Sequence, residues 1–232
     1  MTVGRLERRK AQTRTALIAA ARALLVERDP AGVSIQEITD AADVGFGSFY
    51  NHFPSKQELF DLAVASVADE HRAMIARATA GLSDPAEALA VAVRITARFP
   101  RTHPSLARII DRAGVGYPGA YAIDDLRHAR DVGRLCYDDD QVAFACVAGA
   151  VLGVLHHGLD VDDPAEIDER ADRLAVSLLR MFGLVEGDAR KVVARPLPAW
   201  WPAALAEPDR GAADVAAVGL RPGRDWPAGK RS

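Results

Sequence analysis

Apolar positions recur along this chain at helical spacing. Leu17, Ala20/Ala21 and Leu24 repeat every three or four residues, Ile18 and Leu25 widen the stripe, and Asp29-Pro30 closes it. No run of alternating β-branched residues between hairpin turns competes with that pattern. Four helix starts are marked by side-chain chemistry as well as by period. Ser34-Ile-Gln-Glu37 and Ser55-Lys-Gln-Glu58 are capping boxes, in which the serine oxygen accepts from the third helical N–H and the glutamate reaches back. Asp84-Pro85-Ala-Glu87 and Asp163-Pro164-Ala-Glu166 add proline at the first helical position. The pattern predicts helices over 5–28, 34–41, 45–51, 55–80, 84–99, 103–113, 118–135, 139–159 and 164–182, and hence an all-α fold.

Residues 34 to 53 carry the chemistry. Ile35, Ile38 and Ala41/Ala42 line one face of a short helix, Asp43 sits where the chain must turn, and Val44, Phe49 and Phe53 form the apolar side of a second short helix stopped by Pro54. Two short helices behind one longer helix make a helix-turn-helix, whose second helix can enter a major groove. Its polar side holds Gly45, Ser48, Asn51 and His52, with Phe46, Tyr50 and Lys56 at the edges. Gly45 and Gly47 would let the backbone approach bases closely. They also weaken a helix by about 1 kcal/mol each if interior, a cost that packing alone does not explain.

The string Val44-Gly-Phe-Gly-Ser-Phe-Tyr-Asn-His-Phe-Pro-Ser-Lys-Gln-Glu-Leu59 resembles the signature of TetR-type transcriptional regulators, specifically over residues 10 to 60. The resemblance implies an N-terminal three-helix DNA-binding domain over 1–54 and a larger helical effector-binding and dimerisation domain over 55–190. By motif position, Tyr50, His52 and Lys56 would contact phosphates, Ser48, Phe46 and Asn51 would face bases or backbone, and Ser34 would set a helix N-terminus against a phosphate. The turn residue, usually glycine in that family, is Asp43 here, and aspartate tolerates left-handed backbone better than most residues.

Charge sharpens this picture. The chain carries 29 basic and 32 acidic residues, a formal charge of −3, so contact with nucleic acid requires a local basic patch. Arg5, Arg8, Arg9, Lys10 and Arg14 supply one against Glu7 alone, and Arg8 and Arg9 are candidate DNA contacts. Two cysteines, Cys136 and Cys146, with charges where a signal peptide needs apolar residues, read as a reduced, cytoplasmic protein. The apolar stretch from Val142 to Leu155 is too short to span a bilayer.

In the larger helical part, the helix over 55–80 would bridge DNA-binding and effector regions. Ala145, Gly149, Gly153 and His157 recur every fourth position, which permits close approach of another helix. With Ile167, Leu174, Leu178 and Met181 they would form half of an intersubunit four-helix bundle in a homodimer, as the resemblance implies, the rival reading being a hairpin internal to one subunit. Phe99, His103, Tyr117, Tyr121, Cys136, Phe144 and His156 are candidate walls and anchors of a cavity for a small, mostly apolar effector. No metal or cofactor is expected: His156-His157 is not metal-spaced, and the Asp160-Val-Asp-Asp-Pro run lacks the glycine and terminal glutamate of a calcium loop. No nucleophile elbow, phosphate loop or HExxH occurs, so catalysis is not expected. The chain therefore reads as a dimeric repressor of a near-palindromic double-stranded operator, or else as a helical binding or scaffold protein that has lost DNA binding. A proline-rich tail over 191–232 holds all three tryptophans; Trp200-Trp201 is expected to dock on the body and the segment after Pro208 to stay mobile.

Overall fold

A computed structural model describes residues 3–117 and 122–201. Eleven helices and no strand occur among the described residues: α1 (Val3–Glu27), α2 (Ile35–Ala41), α3 (Phe46–Phe49), α4 (Lys56–Thr79), α5 (Pro85–Ala97), α6 (Phe99–Thr102), α7 (Pro104–Ala113), α8 (Ala122–Asp131), α9 (Asp140–Gly158), α10 (Pro164–Met181) and α11 (Glu186–Val193).

Each of the four marked starts is a helix N-terminus. Ser34 and Ser55 accept from the N–H of Glu37 and Glu58, and Asp84 and Asp163 accept from Ala86 and Ala165 one residue after a proline. Two helices go beyond the sequence pattern. Pro100 has no N–H to continue α5, so the chain breaks at Arg98 and restarts as α6. Helix α11 starts on Val185 without a side-chain cap and contains Gly187, so neither start signal nor composition marks it. It carries ordered helix past residue 190, where the sequence places the start of the tail.

Two apolar clusters organise the packing. The first joins α1 to α4 and α7 through Leu17, Leu25, Ile38, Phe49, Phe53, Leu59 and Phe99, all essentially sealed from solvent. The second lies among α5, α8, α9, α10 and α11, around Val93, Leu126, Leu179 and Phe182. Helix α4 contacts α1, α5 and α7, so it physically connects the two regions.

An ionic ladder fixes α10 against α5 and α6. Arg94, Arg98 and Arg101 are buried and share two carboxylates: Asp172 takes Arg94 Nε at 2.6 Å and Arg98 Nη2 at 2.9 Å, while Asp168 takes Arg101 Nε at 2.6 Å. The start of the tail is also held. Trp201 is buried, its ring stacked near His103 (5.4 Å) and Phe99 (6.2 Å), and the Arg77 guanidinium lies 4.2 Å from the centre of Trp200. The expectation about the segment beyond Pro208 lies outside the described residues, as does Tyr121.

Candidate functional site

The turn between α2 and α3 explains an oddity of the helix-turn-helix sequence. Asp43 has φ of 52°, the only non-glycine in the left-handed region among the described residues, so aspartate fills the role that glycine commonly takes in such turns. Behind the turn Phe49 and Phe53 are fully buried and anchor α3 to α1 and α4. In front, Phe46 is 48% and Tyr50 57% exposed, their rings edge-on at 6.2 Å. Two large aromatic side chains standing in water are unusual unless something covers them.

Gly45, Gly47 and Asn51 are exposed beside them, Ser48 and His52 half-buried. A Cβ on Gly47 would meet nothing within 4 Å, and one on Gly45 only the Ser48 hydroxyl at 3.9 Å. The glycines therefore do not relieve crowding within the protein. The space they leave faces outward.

Helix α1 brings basic groups to the same part of the protein. Arg8 and Arg9 are exposed on α1, and Arg14 donates to the His52 carbonyl at 3.0 Å while its guanidinium lies 4.4 Å from the centre of the Phe53 ring. Partial burial together with the charges of Lys10 and Arg14 lowers the His52 pKa and keeps the ring a neutral donor. Lys10 and Arg14 thus belong to this patch, although the sequence shows them only as members of a basic segment.

Two expected phosphate contacts are committed elsewhere. Lys56 Nζ donates to the carbonyls of Pro30 (3.1 Å), Ala31 (3.0 Å) and Val33 (2.8 Å), which uses all three of its protons. It is a clamp between the start of α4 and the 3₁₀ turn Pro30–Gly32, not an outward-facing cation. Ser34 is exposed, but its hydroxyl donates to Glu37 at 2.7 Å and accepts from the Glu37 N–H. The Glu37 carboxylate, held down to about pKa 2 by the Ser34 N–H and hydroxyl and by Arg28, takes both donors of Ser34.

A cavity of about 460 Å³ lies among α4, α5, α7, α8 and α9. Its walls are mostly apolar, with Ile75, Leu89, Leu126, Phe144 and Leu152 prominent. Also in its lining, His71 Nε2 is 2.8 Å from Thr96 Oγ1, and His71 Nδ1 is 3.2 Å from the Tyr117 hydroxyl. Burial pushes the His71 pKa down from 6.5 to about 4, so the ring is neutral. Asp125 and His128 line another part of the wall. Desolvation, with Asp124 nearby, raises the Asp125 carboxyl.

Of the residues expected here, Tyr117 and Phe144 line the cavity. Phe99, His103, Cys136 and His156 do not. Phe99 lies behind the wall, its ring 5.3 Å from that of His71, and His103 packs against Trp201. Cys136 is exposed beside the Gly183 turn, and His156 is exposed and bonded to Asp111 at 2.9 Å. An apolar or aromatic residue on the right helix can point to either side, and the side is set by packing. The sequence pattern does not single out His71 and Thr96, although His71 falls on the helical stripe of Val67, Ile75 and Ala78 that marks the inner face of α4.

Helix α9 has an unusual surface. Its 19 residues are long and apolar enough to cross a bilayer, yet only 22% of that stretch is buried; it packs on α5, α8 and α10. The helix extends past the Val142–Leu155 run, which is why it exceeds the expected apolar length. Ala145, Gly149, Gly153 and His157 are all exposed, and a Cβ added at either glycine would meet no atom within 4 Å. Ala145 and Gly149 line the cavity, however, which leaves Gly153 and His157 as the members of this stripe outside it. Close approach within the protomer occurs instead at Gly158, where a Cβ would meet Pro100 at 2.9 Å. On α10, Met181 is exposed and Leu174 half-buried, but Leu178 is packed inside the second cluster and is a core residue of the protomer.

Residues 17–63 match the family described as bacterial regulatory proteins, tetR family, and residues 84–195 match the tetracyclin repressor-like C-terminal domain. The uncharacterized HTH-type transcriptional regulator Rv1255c of Mycobacterium tuberculosis is 30% identical over 184 residues, 77% of this chain and 80% of that protein. The crystal structure of RolR with its ligand resorcinol superposes with a TM-score of 0.61 at 29% identity, covering 83% of this chain and 98% of that one. SmeT, the repressor of the Stenotrophomonas maltophilia multidrug efflux pump SmeDEF, superposes at 0.60 with 23% identity over 81% of this chain and all of its own, a likeness of fold.

Proposed function

The chain belongs to the TetR family of transcriptional regulators, DNA-binding proteins and not enzymes, and from that premise we propose that it is a repressor that binds a near-palindromic operator as a homodimer and is released by a small, mostly apolar effector. The observation that carries the DNA-binding half is the exposed Phe46/Tyr50 pair beside two glycines with open space in front of them, on the second helix of the helix-turn-helix. An α3 presented in this way fits a major groove, with Lys10 and Arg14 beside it and Arg8 and Arg9 exposed on the same helix as Arg14 to serve phosphates. The exposed apolar face of α9, with Gly153 open and outside the cavity, supports pairing of two copies there. The mostly apolar cavity supports the effector half, as does the resorcinol bound by RolR.

The test is selection of duplex fragments from random-sequence DNA by the purified full chain, followed by affinity measurements across salt. Recovery of a two-fold site, with binding that falls steeply between 50 and 200 mM salt, is the expected result. Failure to enrich any sequence would favour the scaffold alternative.

A further inference from the structure

The two apolar clusters are joined by a segment that does not line the cavity. Val193 at the end of α11 is packed in the second cluster, while Trp201 is packed in the first. The chain between them is held at both ends. At the root, the Arg195 carbonyl accepts from Arg94 Nη1 at 2.8 Å, within the ladder that fixes α10 to α5, and the Arg195 side chain pairs with Glu87 of α5. At the tip, Trp201 is 7% exposed and stacks beside Phe99 and His103, where α6 meets α7, while Trp200 receives the Arg77 guanidinium from the last turn of α4. Pro196 and Pro198 fix φ between root and tip, and the Trp201 N–H closes a turn on the Pro198 carbonyl at 2.8 Å, so the arm is stiff.

Such an arm ties the far end of α4 to α5. The near end belongs to the helix-turn-helix: Leu59, Phe60 and Ala63 are buried in one cluster with Leu17, Ile38 and Phe49, and Glu70 pairs with Arg22 of α1 at 2.8 Å. The 24 residues of α4 make a rod about 36 Å long, so a tilt of about 5° at one end moves the other by about 3 Å. We infer that residues 195–201 are a brace that sets the tilt of α4, and that Trp200 and Trp201 are positioning residues for operator binding, although they sit at the other end of α4 from α3. The brace acts by removing orientations of α4 that do not fit the groove, so its loss weakens binding without removing a contact to DNA. The inference rests on the reading of the chain as an operator-binding protein. It places part of that function past Arg195, the last residue of the matched C-terminal domain.

The test uses the full chain and the duplex recovered by selection, with gel shifts for affinity. Arg77 is exposed, so Arg77→Ala keeps the fold while removing one grip; operator binding is expected to weaken about two- to fivefold, the worth of one exposed cation–π contact. Trp201→Ala is expected to weaken it about tenfold or more, and Trp201→Phe, which keeps a stacking ring, to recover most of that loss. The slope of log affinity against log salt should stay that of the parent in all three, since no phosphate contact is lost. Amide exchange should quicken over 72–79 in Arg77→Ala and Trp201→Ala but not over 35–53. Bound operator should in turn slow exchange of the Trp201 amide in the parent, because linkage is reciprocal. Parent-like affinity in Arg77→Ala, a shallower salt slope, exchange rising as much over 35–53 as over 72–79, or Trp201→Phe no better than Trp201→Ala would each overturn the inference. Should Trp201→Ala fail to fold, Arg77→Ala decides. If the parent binds its operator and the variants bind it equally, the repressor reading stands and the brace fails. If the parent retains no duplex, that reading fails, and the brace stands or falls on exchange over 72–79.

Discussion

Lys56 Nζ lies 2.8 Å from the carbonyl oxygen of Val33, the last residue before the cap of α2. With the carbonyls of Pro30 and Ala31 completing its coordination, a charge at the start of α4 sets where α2 begins. Hydrogen bonds from a charged donor contribute roughly 1.5–3 kcal/mol apiece at best, and partial exposure reduces this, so Lys56→Met should cost about 1–3 kcal/mol in urea unfolding. The slope of log affinity against log salt should stay as in the parent. For Arg9→Ala the opposite pattern is expected: unchanged stability and a slope shallower by about one per protomer. A shallower slope for Lys56→Met would return that residue to the phosphate contacts.

Phe46→Ala should leave stability within about 0.5 kcal/mol, because the ring is half in water. Its effect should be on DNA: repeating the fragment selection with the variant is expected to recover a changed consensus at the positions nearest α3. An identical consensus would mean that Phe46 does not meet the bases.

Gly153→Leu adds bulk where the protomer has nothing within 4 Å and where the cavity does not reach. The protomer should still fold, its α9 favoured by up to about 1 kcal/mol through the loss of an interior glycine. A two-fold interface through α9 would be overpacked by about 1–3 kcal/mol on each side. Sedimentation should show the variant dissociating at concentrations that keep the parent dimeric, with loss of operator binding. A variant as dimeric as the parent would move the interface off this face.

Acid should weaken the fold from near neutrality. His71 is neutral in the native state down to about pH 4, whereas an unfolded chain protonates it near 6.5, so between those values the unfolded state binds more protons. Stability is full above pH 6.5 and falls toward pH 4, by about 3 kcal/mol in total for this group. His52, also lowered, acts in the same direction. The Glu37 contribution is present above 4.5 and is lost only as pH falls toward 2, so it does not enter this window. Urea midpoints at pH 7 and pH 5 should differ clearly in the parent and much less in His71→Asn.

Capping chemistry makes the fold legible where it is local. Ser34, Ser55, Asp84 and Asp163 each mark a helix start because cap and helix lie within four residues. Asp43 announces its left-handed turn for the same reason. Legibility ends where an outcome depends on distant backbone. Nothing near Lys56 indicates that three carbonyls from residues 30 to 33 converge on its ammonium group. Likewise Phe99 and His103 have the composition of cavity residues, but Trp201, about a hundred positions later, covers them. His71 is the reverse case: its polar role depends on Thr96 and Tyr117, neither of which is near it in sequence.

The docked tail also equips the protein with an optical gauge. Trp200 rests on Arg77 near the end of α4, and Trp201 is wedged against His103 and Phe99, whose ring in turn meets His71. With the third indole removed by Trp226→Phe, tryptophan emission would come only from this pair. Its wavelength and quenching would then report, without any added dye, how firmly the far end of α4 is seated as operator or effector is titrated in.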